Sequence, residues 1–281
     1  MTTIQFTKMQ GLGNDFIIID FEEYKKIDIP LEELSIKLCH RNFGIGADGL
    51  IIVNPQPKNA DIGWFFYNSD GSIAQMCGNG MRCFAKYVYD KKLVNNKEFS
   101  VETVAGIIKP EIVDEKTVKV NMSKPILDTA KIPVKTPKNL NFDLNVNDRF
   151  FKANAISMGN PHCIIFTEED TKKLALQYGP DIETHPIFPE KTNVEFAKVL
   201  SRREINLDVW ERGCAITLAC GTGACATVTA AILNNHCDSP VKVNLPGGSL
   251  SIEWDGNITN PAKDIFMSGP AEYVFTGEVN I

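Results

Sequence analysis

The sequence has no long hydrophobic run, and this absence excludes proteins that cross a membrane as an α-helix. Its longest apolar runs, at 16–20 and 50–53, have the length of a β-strand, far short of the ~20 residues that a membrane-spanning helix needs. The first ten residues contain no basic segment followed by an apolar one, so they show no secretory signal. We therefore expect a cytoplasmic protein without a membrane partner.

Positive charge is also scarce. Lysine and arginine number 29 against 35 aspartates and glutamates, which gives a net charge of −6. Because a nucleic-acid-binding surface needs a surplus of basic residues, this balance argues against nucleic acid as a partner. The 281 residues, 43% of them hydrophobic, suffice for one large domain or two compact domains.

The eight cysteines include no Cys-x-x-Cys pair, which argues against a zinc site, and we predict no bound metal. The length of the chain and the missing signal argue against a disulfide framework. Most of these thiols are therefore interpreted as small buried apolar residues in a reducing compartment. They stand at positions 39, 77, 83, 163, 214, 220, 225 and 237.

Most of the chain has the pattern of short strands separated by turns, and four helices interrupt it. One helix begins near Pro30, a second covers 168–178 and ends at Gly179-Pro180, and the others follow Cys77 and Cys220. The proline-containing region 124–147 is interpreted as an interdomain connection, and its pattern also allows some strand.

An internal repeat is the most informative feature. Cys77-Gly-Asn-Gly in the first half matches Cys220-Gly-Thr-Gly in the second, each before a helical pattern. Asn68 and Glu211 each stand nine residues before these cysteines, and Asn14 and Asn160 lie 63 and 60 residues before them. The halves are thus offset by about half the chain, which predicts two related domains facing one another.

A cysteine at a helix N-terminus lies beside unpaired amides and the positive end of the helix dipole. We expect this position to lower the thiol pKa, and we expect the amides of Gly78, Asn79, Gly221 and Thr222 to bind a carboxylate. Two such thiols on opposite sides of one carbon can remove a proton from one face and return one to the other. This arrangement predicts racemisation or epimerisation of an amino acid without a cofactor.

Other classes of protein fit less well. The Gly-x-Gly-x-x-Gly at 44–49 runs into a strand instead of a helix, which argues against a dinucleotide site. No lysine in an apolar setting marks a pyridoxal phosphate enzyme. A thiol redox protein using Cys77 and Cys220, or a module that binds an anion without turnover, remains an alternative.

Seven blocks of the sequence stand in the order of a known family, at 11–16, 41–49, 68–72, 76–82, 158–162, 192–196 and 211–226. With these blocks the chain resembles the diaminopimelate epimerases. The related proline racemases fit less well, because they carry histidine where this chain has Asn79.

The resemblance implies an α+β fold of two pseudo-symmetric, barrel-like β-rich domains, each around a central helix. The first domain would cover 1–121 and regain the last strand, about 267–281, and the second would cover 122–266, with the active site in the cleft between them. The implied enzyme is a homodimeric isomerase that interconverts LL- and meso-2,6-diaminopimelate, without cofactor or metal, in bacterial lysine and peptidoglycan precursor synthesis. A related amino-acid racemase of the proline racemase type is the nearest alternative.

At positions that match the family, the resemblance implies that Cys77 and Cys220 are the acid–base pair, assisted by His162 and Glu211. The implied substrate-binding residues are Asn14, Asn68, Gly78, Asn79, Asn160, Asn193, Glu211, Arg212, Gly221 and Thr222. Each also has a plainer interpretation: the asparagines as turn residues, Glu211-Arg212 as a surface ion pair, and His162 as a core histidine.

The sequence departs from the family pattern at three positions. Ala215 replaces a usual glycine, Ile216 replaces a frequent glutamate, and Gly49 stands where some members present glutamine to the substrate. These departures bear on the local loop shape and on one substrate contact.

Overall fold

The structure is a computed structural model that describes residues 2–74, 76–147 and 149–281. The chain divides into two compact units, one formed by Met1–Val120 with Gly269–Ile281 and the other by Asn121–Ser268. The described residues contain no helix that is long and apolar enough to span a membrane.

The helices of the described residues are short, and two of them follow the repeated cysteines. They are α1 (Phe21–Tyr24), α2 (Leu31–Cys39), α3 (Gly78–Asp90), α4 (Thr171–Glu183) and α5 (Gly221–Leu233).

The strands of the described residues are β1 (Thr3–Gly11), β2 (Asn14–Ile19), β3 (Gly49–Asn54), β4 (Ile62–Asn68), β5 (Val101–Thr103), β6 (Gly106–Ile108), β7 (Pro110–Ile112), β8 (Thr117–Asn121), β9 (Phe142–Val146), β10 (Arg149–Ser157), β11 (Pro161–Phe166), β12 (Asn193–Ser201), β13 (Glu204–Glu211), β14 (Ala215–Ile216), β15 (Val241–Leu245), β16 (Gly248–Trp254), β17 (Ile265–Pro270) and β18 (Glu272–Asn280). The strand content is typical of the predicted α+β class.

The sheet of the first unit has the order β18-β1-β2-β3-β4-β5-β6. The C-terminal strand β18 pairs antiparallel with β1, so the last residues complete this sheet. Strands β2 and β3 run parallel because α2 connects them, and β3 and β4 run antiparallel. Leu34 and Leu38 of α2 pack on one face of the sheet, and α3 lies against β1 and β2.

The second unit repeats this arrangement in the sheet order β17-β16-β15-β13-β12-β11-β10-β9. Strands β11 and β12 run parallel, connected by α4, and β12 and β13 run antiparallel. Helix α4 packs on the core around Phe196, and Ala226 and Ala230 of α5 pack against Ile164 and Ile156.

The ladders give the repeat a residue-by-residue register. In the first unit Phe16 pairs with Gly49 across the parallel strands, and in the second unit His162 pairs with Asn193. Phe16 therefore corresponds to His162, and Gly49 corresponds to Asn193. Two residues beyond Gly49 and Asn193, Ile51 of β3 corresponds to Glu195 of β12. These matched positions lie on the sheet face that meets the cysteine helix, since the alternating residues of each strand point to opposite faces.

Two sequence predictions need correction. Helix α4 does not end at Gly179-Pro180 but continues to Glu183. Gly179 lies so close to Trp210 that a Cβ there would be 2.6 Å from that side chain, and this tertiary packing keeps the chain helical through the proline. The region 124–147 lies inside the second unit and contains β9, so it is not the interdomain connection.

Candidate active site

Each repeated cysteine occupies the cap position at the N-terminus of its helix. Cys77 precedes α3 with φ −139° and ψ 117°, and Cys220 precedes α5 with φ −126° and ψ 107°. In this extended conformation the chain turns directly into the helix, which leaves the first helical amides without helical partners. The Gly80 amide donates to Cys77 Sγ over 3.5 Å. Both thiols are thus held beside the positive end of a helix dipole.

The second glycine of each motif gives a neighbouring side chain access to the helix. A Cβ at Gly80 would lie 3.3 Å from the Phe16 ring. A Cβ at Gly223 would lie 2.8 Å from Glu195 Oε1 and 3.2 Å from Cys220 Sγ. The same glycine therefore admits a phenyl ring in the first unit and a carboxyl group in the second.

Around Cys77 the first unit gathers three of the predicted residues. Cys77 Sγ donates to Asn14 Oδ1 over 3.5 Å, and Asn79 Nδ2 donates to the same oxygen over 3.2 Å. Arg82, with no exposed surface, donates to Asn79 Oδ1 over 2.9 Å and to Pro270 O over 3.0 Å. Gly78, the first residue of α3, is buried beside them.

A charged cluster holds the amide nitrogen of Asn14, the end opposite the oxygen that contacts Cys77. Its Nδ2 donates to Asp48 Oδ2 over 2.6 Å, and Arg41 pairs with both Asp48 and Asp15. Buried Lys8 completes the cluster, with its Nζ 2.8 Å from Asp15 Oδ2 and a further bond to a backbone carbonyl. Burial raises the pKa of Asp15, but the hydrogen bonds from Arg41 and Lys8 outweigh it and leave this pKa below its usual value.

Asn68 stands at the end of β4, and its side chain serves the adjacent turn. Asn68 Nδ2 donates to Ser72 Oγ over 2.9 Å, and its backbone carbonyl accepts from Ser35 Oγ over 2.6 Å. These contacts fix the turn at 68–72 and do not join Asn68 to Cys77.

Around Cys220 the second unit holds a connected chain of polar groups. Cys220 Sγ lies 3.6 Å from Thr222 Oγ1, which accepts from Asn160 Nδ2 over 3.4 Å. Asn160 Oδ1 lies 3.0 Å from His162 Nε2, and His162 Nδ1 lies 2.6 Å from Glu195 Oε1. The predicted residues Asn160, His162 and Thr222 are thereby brought together with the thiol, beside the buried first residue of α5, Gly221.

Glu195 is the site residue that the sequence analysis missed. It lies within the block 192–196 but received no role. Glu195 and His162 have no exposed surface, and burial raises the pKa of Glu195 although His162 opposes the shift. The sequence did contain one signal for Glu195, its place in the repeat. The matched residue of the first half is Ile51, so a carboxyl group stands where an apolar residue would fit.

Three further predicted residues form a second group. Glu211 Oε1 accepts from Thr217 Oγ1 over 2.6 Å. Both amide ends of Asn193 contact backbone: its Nδ2 donates to Pro161 O over 2.8 Å, and its Oδ1 accepts from the Arg212 amide over 3.0 Å. The Arg212 side chain is exposed and donates through Nη1 to Glu190 O over 2.9 Å. Asn193 therefore orders the loop that presents Glu211 and Arg212.

The expectation of a lowered thiol pKa is wrong for Cys220. Burial raises the pKa of Cys220 well above its usual value, and the charges of Glu211 and Glu195 raise it further. The Thr222 hydroxyl and the Gly223 amide oppose this shift but do not overcome it. Desolvation of a thiolate thus outweighs the helix N-terminus, and Cys220 is held as a thiol, the form that donates a proton.

The two units share one chemical design. Each presents a cysteine at a helix N-terminus, amides suited to a carboxylate, and an asparagine linked to the thiol, directly in the first unit and through Thr222 in the second. Among residues 2–74, 76–147 and 149–281, no three His, Cys, Asp or Glu side chains are grouped in a way that suits a metal ion. The design fits proton transfer by thiols next to a stabilised anion.

Comparison with known proteins places the sequence in a family. The family model described as Diaminopimelate epimerase matches residues 6–127 and 154–274. The chain belongs to the diaminopimelate epimerase family. Among its relatives named diaminopimelate epimerase, that of Halothermothrix orenii is 47% identical over 99% of this chain and 98% of its own length. That of Heliobacterium modesticaldum is 45% identical over 98% and 99% of the two chains.

Solved structures with low sequence identity share the fold of this family member. A Bacillus anthracis phenazine biosynthesis protein of the PhzF family superimposes with a TM-score of 0.74 at 17% identity, covering 100% of both chains. A hydroxyproline epimerase from Agrobacterium vitis gives a TM-score of 0.70 at 14% identity, covering 99% of this chain and 92% of its own. The predicted α+β fold of two sheet-rich halves is confirmed.

Two of the departures from the family pattern now have a structural explanation. Ala215 has φ 60°, in the left-handed region that glycine adopts without cost, so the alanine costs about 1 kcal/mol in its loop. A Cβ at Gly49 would lie 2.6 Å from the Phe66 ring and 2.9 Å from Tyr67 O. Glutamine therefore does not fit at position 49 unless both the Phe66 ring and the backbone at Tyr67 move.

Proposed function

We propose that this chain is an isomerase, a cofactor-independent two-base epimerase that interconverts LL- and meso-2,6-diaminopimelate. Membership of the family supports the substrate class. The observation that carries the proposed chemistry is the repeated frame, which places one cysteine at a helix N-terminus in each unit. In the cell this activity would serve lysine and peptidoglycan precursor synthesis.

In the proposed mechanism, Cys77 and Cys220 address opposite faces of the substrate α-carbon. One cysteine removes the α-proton as a thiolate, and the other donates a proton to the opposite face. The cysteines exchange roles in the reverse reaction. Burial and acidic neighbours favour the thiol form of Cys220, so Cys220 donates the proton in the reaction direction that begins with Cys77 as the thiolate.

The carboxylate next to the reacting carbon gains negative charge as the α-proton leaves. We propose that the amides of Gly78-Asn79 and Gly221-Thr222 bind this carboxylate, because helix N-termini stabilise anions. Asn14, which contacts Cys77, and Asn160, which reaches Cys220 through Thr222, would contact the same end of the substrate. His162 and Glu211 assist the chemistry in this proposal.

The distal end of diaminopimelate is a second amino-acid group that is not inverted. We propose that exposed Arg212 binds its carboxylate and that Glu211 accepts from its ammonium group. Asn68 and Asn193 complete this subsite, Asn193 through the backbone that it orders. A fixed set of donors and acceptors checks the configuration of this end.

The proposed enzyme uses neither metal nor pyridoxal phosphate, acts in the cytoplasm as a homodimer, and has no nucleic-acid or membrane partner. A thiol redox protein using Cys77 and Cys220 is the alternative function, and membership of the family favours the epimerase over it.

Hydrogen exchange at the substrate α-carbon tests the proposed function. The purified protein is incubated in D2O with LL-diaminopimelate, proline or glutamate, with and without EDTA and hydroxylamine. We expect deuterium uptake and meso product with diaminopimelate alone, unaffected by either reagent. Deuterium uptake with proline alone would support the alternative of a proline-type racemase. No deuterium uptake with any of the three substrates would refute the proposal.

A further inference from the structure

Two matched positions of the repeat hold opposite kinds of side chain. In the first unit they hold Phe16 and Ile51, and in the second unit they hold His162 and Glu195. All four side chains are at most 1% exposed. The same frame therefore accepts an apolar pair in one unit and an ionisable pair in the other.

Packing alone does not explain the ionisable pair. Removing two polar side chains from water costs free energy that their attraction seldom exceeds, and apolar replacements of similar volume are often neutral or stabilising. The first unit shows that an apolar pair fits this frame. A role in orienting the site explains why the second unit holds histidine and glutamate.

The contacts of His162 decide where its protons lie. Asn160 Nδ2 donates to Thr222, so the other end of this amide, the acceptor Oδ1, faces His162 Nε2 over 3.0 Å. In this arrangement Nε2 carries a hydrogen and donates it to Asn160 Oδ1. The 2.6 Å contact between His162 Nδ1 and Glu195 Oε1 holds one more proton, on the nitrogen or on the oxygen.

We propose that Glu195 is a positioning residue for the site in the second unit, acting through His162 on the side-chain amide of Asn160. Glu195 fixes the ring so that Nε2–H points at Asn160 Oδ1. The Asn160 NH2 group is then directed toward Thr222 and the N-terminus of α5. A reversed amide would present an oxygen there and repel a carboxylate. This last consequence rests on the proposed function, but the orientation itself does not.

Two variants of Glu195 distinguish the effect of its hydrogen bond to His162 from the effect of filling the same space with another side chain. In Glu195→Gln the amide donates to Nδ1, so Nε2 keeps its hydrogen. In Glu195→Ile, the residue of the matched position in the first unit, the ring loses its partner. The double variant His162→Phe/Glu195→Ile copies the first unit and guards against misfolding of the single variant. As a control, Glu204→Gln removes a half-buried charge from the same unit.

The first measurement is the ¹⁵N spectrum of the histidine rings, with His162 assigned by its loss in His162→Gln. We expect a protonated Nε2 and a hydrogen-bonded Nδ1 in the wild type, Glu195→Gln and Glu204→Gln. In Glu195→Ile we expect ring nitrogens averaged between the two tautomers. An unchanged His162 spectrum in Glu195→Ile would overturn the proposal, whether or not the protein turns over diaminopimelate.

The second measurement is the steady-state kinetics of epimerisation. Carboxylates that orient a metal-bound histidine offer an analogy, because their loss typically lowers activity by about 10- to 100-fold. We expect kcat/KM to fall in that range in Glu195→Ile and in the double variant, chiefly through KM. Glu195→Gln should recover most of this loss. Wild-type kinetics in the double variant, or an equal loss in Glu195→Gln and Glu195→Ile, would overturn the proposal. An inactive wild type with the expected spectra would refute the proposed function alone.

Discussion

Asn14 donates to Asp48 through Nδ2 over 2.6 Å, and this bond leaves the amide oxygen of Asn14 facing Cys77. Since Asp48 only accepts hydrogen bonds when ionised, it dictates which end of the amide it meets. The first unit thus orients its asparagine with a carboxylate, and the second unit orients Asn160 with a histidine.

The substitution Asn14→Asp tests this orientation. It places two carboxyl groups within 2.6 Å, where they cannot both ionise, and it removes the donor to Asp48. We expect a loss of about 1–3 kcal/mol in the free energy of unfolding and a fall in kcat/KM of at least ~10-fold. Denaturant titration and steady-state kinetics measure both. Asn42→Asp, which adds the same charge on an exposed loop of this unit, should change neither. Equal effects in the two variants would contradict the assigned orientation.

The raised pKa of Cys220 predicts how this thiol responds to pH. Burial and the charges of Glu211 and Glu195 disfavour the thiolate, so alkylation of Cys220 by iodoacetamide should be slow at pH 8 and should rise with pH beyond the ordinary thiol range. Removing a nearby negative charge stabilises the thiolate. Glu211→Gln should therefore speed alkylation at pH 8 by about threefold to tenfold.

Peptide mass mapping over a pH series measures the alkylation of Cys220 in each protein. Glu204→Gln serves as the charge-matched control in the same unit, and its rate should equal that of the wild type. A Glu211→Gln rate at or below the wild-type rate would show that Glu211 does not act on this thiol.

The sequence predicted much of the frame but missed elements that contain buried polar residues. The repeat and the helices after Cys77 and Cys220 were visible in the sequence. In β10 and β12, buried Asn154 and Glu195 interrupt the apolar pattern that would mark a strand. Their partners, Ile164 O and His162, come from β11, a contact that no local pattern reveals.

The candidate site shows the same division between local and tertiary information. The cap positions of Cys77 and Cys220 follow from local patterns, since glycine and a helical period come directly after each cysteine. The pKa of Cys220 does not, because it depends on burial and on carboxylates of other strands. The ionic anchor of Asn14 likewise joins residues up to 40 positions apart, so its members could not be grouped before the fold was known.

The substitutions Cys77→Ala and Cys220→Ala test the two-base chemistry. Each should abolish conversion of LL- to meso-diaminopimelate while leaving the fold intact, because inversion needs a proton donor and an acceptor on opposite faces. A lost acid or base typically costs about 10²- to 10⁴-fold in rate.

Polarimetry or chiral chromatography measures the conversion, and Cys214→Ala, an exposed cysteine of the same region, should keep full activity. More than a few per cent of wild-type turnover in either variant would remove that cysteine from the pair.

The substitution Arg212→Lys tests recognition of the distal end of the substrate. Arg212 is exposed and its backbone amide is fixed by Asn193, so the side chain is presented from an ordered loop. A lysine keeps the charge but cannot reproduce the planar, two-pronged bond that a guanidinium makes with a carboxylate. We expect kcat/KM to fall by about 10-fold or more, with both kcat and KM affected, because distal binding energy also positions the reacting carbon. The matched control is Arg203→Lys, at an exposed arginine of the same unit that donates to Ser239 O over 3.0 Å, and it should behave as the wild type. Unchanged kinetics in Arg212→Lys would return Arg212 to the role of a surface residue that binds Glu190 O, and the distal carboxylate would then need another partner.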